Sequence, residues 1–145
     1  MSKYSVLGLI SAVTVLLSII YSCQSETELT YARYYTNGKK LYDQHCQNCH
    51  GSNGQGLGKL IPPLTDTLFL KKHKSEIVCW IRHGIKDTMR VHQVTYASEM
   101  PANASIPEID IAAIVTYITN NFGNTHGLYD VNNASADLKQ CIIRK

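Results

Sequence analysis

The chain has 145 residues and a formal net charge of +3, so its length fits one ordinary domain. This weak positive charge, without an arginine-rich stripe, argues against a nucleic-acid-binding protein. No repeat of solenoid length is present, and no glycine-rich phosphate loop follows a predicted strand. The five cysteines are the most informative part of the composition.

The amino end has the pattern of a lipoprotein signal peptide, predicted over residues 1–22. A single positive charge precedes an uncharged apolar run over residues 6–20, and this run is short for a membrane span. The run leads into Ile20-Tyr21-Ser22-Cys23, which resembles a bacterial lipoprotein cleavage box. This resemblance implies that Cys23 carries the lipid. The alternative is an uncleaved membrane anchor over residues 4–21.

Both interpretations of the amino end predict export, to a membrane-anchored position that faces the periplasm or the outer surface. Residues 23–33 are polar and lack periodicity, so we expect a flexible tether there. A globular domain is predicted over residues 34–123, followed by a short extension over residues 124–145.

The globular domain is predicted to open with a helix over residues 34–45. Gly38, Leu41, Tyr42 and His45 follow one another at the spacing of one helical face. Glycine inside a helix costs about 1 kcal/mol relative to alanine. We therefore expect Gly38 to permit close contact with another helix.

This helix leads into Cys46-Gln47-Asn48-Cys49-His50, and this order of residues is typical of c-type haem attachment. Each thiol adds to one haem vinyl group, and the two-residue spacer lets a single turn of backbone present both sulfurs. His50 then lies under the macrocycle, where its imidazole can bind the iron. A thioredoxin-like redox pair does not need this histidine, and a zinc site needs further ligands at paired spacing.

A rigid segment follows the motif. Four glycines within residues 51–58 predict a loop, and Pro62-Pro63 then fix the backbone. A rigid carbonyl group here can accept the free N–H of His50, which is the bond that orients a metal-bound imidazole. The alternative is a simple rigid turn.

Three further helices are predicted. The first covers residues 75–83 and is capped by its first residue, and the second covers residues 105–122 with Ser105 and Glu108 as a capping box. A last short helix is predicted over residues 133–143. Because no segment shows sustained strand alternation, we predict an all-α fold, with three main helices around one covalently bound haem.

The second axial position of the iron decides the function, because an open position permits gas binding or catalysis and a filled one favours electron transfer. Met100 is the leading candidate, since Pro101 stiffens the loop that carries its sulfur. The alternatives are Met89, His73, His83, His92 and a lysine.

Cys79 and Cys141 remain as a pair once the other three cysteines are assigned. Exported proteins lie in oxidising compartments, so we expect a disulfide that pins the extension to the helix over residues 75–83. Such a bond stabilises by roughly 4 kcal/mol in the chain-entropy model. Two buried free thiols are the alternative.

Over residues 34–123 the chain resembles the class I, single-haem cytochrome c family. The resemblance rests on the attachment motif, the glycine-rich loop and on Pro62-Pro63-Leu64, Met100-Pro101, Gly38, Tyr42, Ile114 and Tyr117. It implies that the first and last helices cross at Gly38, with Tyr42 against Tyr117. It also implies that a proline carbonyl group holds His50, with Pro62 as the best match and Pro63 as the alternative. The extension is not a general feature of this family.

The resemblance implies an electron carrier without catalytic residues, with haem thioethers at Cys46 and Cys49 and with His50 and Met100 as axial ligands. Its expected partners are redox proteins, such as a respiratory complex or a terminal oxidase, and the membrane through the lipid. One alternative is a haem c subunit of a larger respiratory oxidase or dehydrogenase. A third hypothesis is a gas-binding or peroxidase-like haem protein, which needs a vacant sixth position.

Overall fold

The computed structural model describes residues 3–21 and 26–141. The chain splits into two compact units, one over residues 1–30 and the other over residues 31–145. In the first unit, α1 spans Lys3–Tyr21, and large apolar side chains are exposed between Tyr4 and Leu17. Across the described residues, no helix is both long enough and apolar enough to span a membrane.

The predicted lipidation site, Cys23, lies outside the described residues. Shortly after it, α2 spans Glu26–His45, so residues 26–33, which fall in the flexible tether predicted over residues 23–33, are helical. Glu26 and Glu28 stand in the first turn, where carboxylates stabilise the positive end of the helix dipole. Stabilisation by charge leaves no apolar periodicity in the sequence, which is why the sequence pattern did not indicate a helix before residue 34.

The remaining elements of the second unit follow in chain order: α3 (Gln47–His50), α4 (Thr67–Lys72), α5 (Lys74–His83), β1 (Met89–Val91), β2 (Val94–Tyr96), α6 (Glu108–Ile118) and α7 (Val131–Lys139). This mostly helical content confirms the predicted all-α class. β1 and β2 form a small antiparallel hairpin. Strands of three residues are too short to produce a recognisable alternating pattern in the sequence.

α2 packs against α6 at Gly38, which is buried. A methyl group built on Gly38 would lie 2.0 Å from the carbonyl oxygen of Ala113 and 2.8 Å from Cβ of Tyr117. Glycine is therefore the residue that lets the two backbones approach this closely. The ring of Tyr42 is fully buried and lies 5.3 Å from the ring of Tyr117. These contacts confirm the expected crossing of the two helices.

α6 is the central helix of the core, because every residue from Ile111 to Ile118 is buried. A helix that is apolar on all sides needs neighbours on all sides. α6 begins at Glu108 rather than at Ser105, and no side chain caps it. The predicted capping box is therefore wrong: Pro107 occupies the cap position, and the fixed φ of proline favours the start of a helix. α5 likewise begins at Lys74 without a side-chain cap.

The extension beyond residue 123 contains α7, which begins at Val131, two residues before the predicted start at Asn133. The carboxylate of Asp130 accepts the backbone N–H of Asn133 at 2.9 Å, and the side chain of Asn133 accepts the N–H of Asp130 at 3.1 Å. This reciprocal pair satisfies two backbone donors that the start of a helix leaves free. Ala134 is fully buried, so α7 is part of the domain and not a loose tail.

Two links attach the extension to α5. Cys141 and Cys79 form a disulfide in the structure, with their Cα atoms 5.6 Å apart, which is a separation typical of disulfides. At the first residue of α5, the ammonium group of Lys74 donates to the carbonyl oxygen of His126 at 3.0 Å. The extension therefore holds α5 at its start and at its middle.

We expect His126 to make the folded protein less stable at acidic pH. Its two ring nitrogens are shielded from solvent and lack a hydrogen-bond partner among the described residues. Burial lowers the pKa of His126, and the positive charges of Lys74 and Lys71 lower it further. The unfolded chain therefore binds this proton more readily. The stability from His126 is fully present above the unfolded pKa of about 6.5 and is lost as the pH falls from there through the folded pKa.

Urea unfolding at a series of pH values between about 7 and 5, the range in which histidines titrate, measures this effect. The variant His126→Gln cannot titrate and is expected to lose less stability over this range than the wild type. His83→Gln, at an exposed histidine, serves as the control and is expected to follow the wild-type curve. Equal slopes for His126→Gln and the wild type would contradict the assignment.

Candidate functional site

The attachment motif forms a single helical turn. The backbone N–H of His50 donates to the carbonyl oxygen of Cys46 at 2.9 Å, and the N–H of Cys49 donates to the same oxygen at 3.1 Å. Neither Cys46 nor Cys49 takes part in a disulfide. Burial, together with the nearby Cys49, raises the pKa of the Cys46 thiol to about 12. Redox-active thiol pairs have lowered pKa values, so the structure disfavours a thioredoxin-like role.

A large apolar cavity lies beside this turn, and Cys46, Cys49 and His50 are on its wall. It contains about 910 Å³ of space free of protein atoms, including its open mouth. The rest of the lining comes mainly from α5, the hairpin, the following loop and α6, and includes Trp80, Ile81, Met89, Met100, Ile114 and Ile118. A mostly apolar cavity of this size with a few polar groups is typical of a cofactor site.

The carbonyl group of Pro62 orients His50. Nδ1 of His50 lies 3.1 Å from this oxygen, and because a carbonyl oxygen accepts only, Nδ1 carries the proton. Nε2 is then the nitrogen available to a metal. Burial lowers the pKa of His50, and the bond to Pro62 opposes this effect only in part. The imidazole is thus held in its neutral, metal-binding form.

The loop between His50 and Pro62 is fixed by its own backbone. The N–H of Gly56 donates to the carbonyl oxygen of His50 at 2.8 Å, and the N–H of Leu64 donates to that of Gly54 at 2.7 Å. Pro62 itself lines the cavity. The glycine-rich loop therefore brings the acceptor of His50 into place.

Met100 lines the cavity on a loop that is held by the end of α5. Met100 and Ile85 exchange two backbone hydrogen bonds of 2.9 Å each. A methyl group built on Gly84, whose φ is +73°, would lie 2.4 Å from the carbonyl oxygen of Met100, so the loop packs directly on this turn. The N–H of Asn103 also donates to the carbonyl oxygen of Ile81 at 2.9 Å.

Met89 also lines the cavity, on β1, so position on the wall does not separate it from Met100. His73, His83 and His92 do not line the cavity, and no described lysine does. Nδ1 of His73 lies 3.0 Å from a carboxylate oxygen of Glu76, and Nε2 of His92 lies 2.8 Å from one of Asp66. Of the predicted sixth ligands, the structure brings the two methionines to the cavity.

Comparison with known families decides the class of this protein. Residues 34–118, which are more than half of the chain, match the family described as "Cytochrome C oxidase, cbb3-type, subunit III". The chain belongs to this cytochrome c family. The predicted cytochrome c fold and the predicted covalently bound haem c are thereby confirmed, and the function is haem-based electron transfer.

Two curated cytochromes support the same class. Cytochrome c-552 of Thermus thermophilus is 27% identical over 92 residues, which cover 61% of this chain and 70% of the relative. A second cytochrome c-552, from a particular strain of the same species, is also 27% identical over 92 residues, which cover 61% of this chain and 62% of that relative.

The residues of the cavity fit a covalently bound haem. Cys46 and Cys49 would hold it through thioethers, and His50 would bind its iron. When bound, the haem supplies an iron that takes up and releases one electron. This cytochrome c contributes the apolar wall that excludes water, and Pro62 fixes the orientation of the imidazole.

Sequence analysis missed the residues that support the Met100 loop. Gly84 directly follows the helix predicted over residues 75–83, and the structure shows that it lies against the carbonyl oxygen of Met100. The pairing of Ile85 with Met100 leaves no periodic signal, because it is an isolated bridge. The signal that was present is the glycine that directly follows the helix, a position where a positive φ is common.

Proposed function

We propose that this cytochrome c carries single electrons between redox proteins, with thioethers at Cys46 and Cys49 and with His50 and Met100 as axial ligands. The observation that carries this proposal is a cavity whose wall contains both thiols, the oriented imidazole and the thioether of Met100. Filled axial positions favour electron transfer over ligand binding. Pro62 holds the imidazole of His50, and Ile85 holds the backbone of Met100. Because both ligands are held in this way, the coordination stays the same in both oxidation states.

Carbon monoxide tests the filled sixth position. Added to the reduced holoprotein, carbon monoxide is expected to leave the absorption spectrum unchanged. In a separate redox titration, the same protein is expected to be oxidised and reduced reversibly by one electron. Rapid and complete binding of carbon monoxide would instead favour the gas-binding or peroxidase-like hypothesis.

We also propose that a lipid on Cys23 tethers the protein to a membrane, facing the periplasm or the outer surface, and that residues 1–22 are removed. Expressed in a bacterium with labelled fatty acid, the wild type is expected to take up label and to begin at Cys23 by mass spectrometry. Cys23→Ala is expected to take up none. An unlabelled wild-type chain that retains residues 1–22 would support the uncleaved anchor.

A second candidate is a haem c subunit of a larger respiratory oxidase or dehydrogenase. The matched family is described as an oxidase subunit, and this description favours the candidate. Gel filtration of a detergent extract separates the two: a stable co-eluting partner supports the subunit, and elution alone supports the free carrier.

A further inference from the structure

We propose that residues 124–141 act as a strap that ties together the two walls of the haem cavity and so positions both axial ligands. This inference rests on the proposed function, because it takes His50 and Met100 as those ligands. The family match ends at residue 118, so the strap lies outside the family domain. Besides the bond from Lys74 to His126, two attachments carry the argument, one for each wall.

The first attachment is Asn124, whose side chain is almost completely buried. Its amide nitrogen donates to the carbonyl oxygen of Leu64 at 2.9 Å and to that of Ile118, at the end of α6, at 3.0 Å. Leu64 lines the cavity and follows Pro62, the acceptor of His50, by two residues. Asn124 therefore joins the wall that orients His50 to the central helix of the core.

The second attachment is the disulfide between Cys141 and Cys79. Cys79 lies in α5 beside Trp80 and Ile81, which line the cavity. The turn that ends this helix, at Gly84, packs against the Met100 loop. The disulfide therefore fixes the element on which the thioether loop is built.

The chain between the two attachments is itself hydrogen-bonded to α6. The hydroxyl group of Thr116 in α6 donates to the carbonyl oxygen of Tyr129 at 2.8 Å and accepts the N–H of Tyr129 at 3.1 Å. The phenol of Tyr129 donates to the carboxylate of Asp137 at 2.5 Å. Displacement at one attachment is thus resisted by contacts with the core helix along the way.

Release of either attachment is expected to let Met100 leave the iron more often. An added ligand then binds faster, because its rate depends on the fraction of molecules with an open position. The rate is measured by adding imidazole to the ferric holoprotein, since imidazole binding shifts the absorption spectrum. The variants are Asn124→Ala and the double variant Cys79→Ser with Cys141→Ser.

Both variants are expected to bind imidazole faster than the wild type by on the order of tenfold, a usual size for coupling between packed elements. Tyr129→Phe is the matched control, because it removes one hydrogen bond within the extension and leaves both attachments and the two bonds to Thr116 in place. It is expected to bind imidazole at a rate close to that of the wild type. Wild-type rates in both test variants, or an equal acceleration in Tyr129→Phe, would overturn the proposal.

Hydrogen exchange gives a second test that needs no variant. A dithiol reduces the disulfide by two thiol exchanges, which yield the free thiols of Cys79 and Cys141 and a cyclic disulfide of the reagent. In the ferrous holoprotein, this reduction is expected to accelerate exchange at the paired amides of Ile85 and Met100. Unchanged exchange would overturn the proposal. Failure of the proposed function gives a different result, because Met100→Ala would then have the same absorption spectrum as the wild type.

Discussion

Gly38→Ala is expected to destabilise the cytochrome c domain by about 3 kcal/mol, the upper end of the usual range for overpacked sites. The added methyl group would lie 2.0 Å from the carbonyl oxygen of Ala113 and 2.6 Å from its carbonyl carbon. These are backbone atoms of the buried helix α6, so they cannot rotate away. The preference of alanine for helices, about 1 kcal/mol, offsets only part of this cost. Thermal unfolding of the holoprotein measures the difference.

Lys40→Ala is the matched control for Gly38→Ala, since Lys40 is exposed on the same helix. It is expected to unfold close to the wild-type temperature. A Gly38→Ala protein as stable as Lys40→Ala would contradict the close crossing of α2 and α6.

Met100→Ala is expected to change the ligand field of the iron and to open its sixth position to carbon monoxide. A thioether opposite histidine raises the reduction potential. Its loss is therefore expected to lower the potential by on the order of 0.1–0.3 V, within the span of about 0.8 V that axial ligands cover. Absorption spectra of the ferric and ferrous holoprotein and a redox titration measure these changes.

Met89→Ala is the decisive control, because Met89 lines the same cavity. It removes a similar volume from the wall and is expected to keep the wild-type spectrum and potential. The reverse outcome, in which Met89→Ala changes the ligand field and Met100→Ala does not, would assign the axial sulfur to Met89.

The local motifs could be predicted from the sequence because their chemistry fixes their spacing. The order of Cys46, Cys49 and His50 specifies one helical turn, and the structure has that turn beside the cavity. Gly38 was predictable for a related reason, since a glycine inside a helix implies close contact. The partner of His50 was less certain from sequence, because the two adjacent prolines offer similar carbonyl groups, and the structure has Pro62 in contact.

α5 shows why the rest could not be predicted. Its apolar run has no single stripe, because Ile77 and Trp80 face the cavity, Val78 is fully buried in the core and Cys79 binds the extension. Because three different faces of this short helix are in contact with neighbours, its apolar residues do not recur at one spacing. Hydrophobic periodicity detects a helix only when a single face is apolar. The support of the Met100 loop by Gly84 depends on this packing and was missed for the same reason.

Covalent attachment at the motif is the central claim, and extraction followed by peptide mapping tests it most directly. The holoprotein is denatured in acidic organic solvent, and the chain is then digested and analysed by mass spectrometry. We predict that the pigment stays with the chain and that haem is found on the peptide that contains both Cys46 and Cys49. Release of the pigment into the solvent, or an unmodified peptide with two free thiols, would contradict this account.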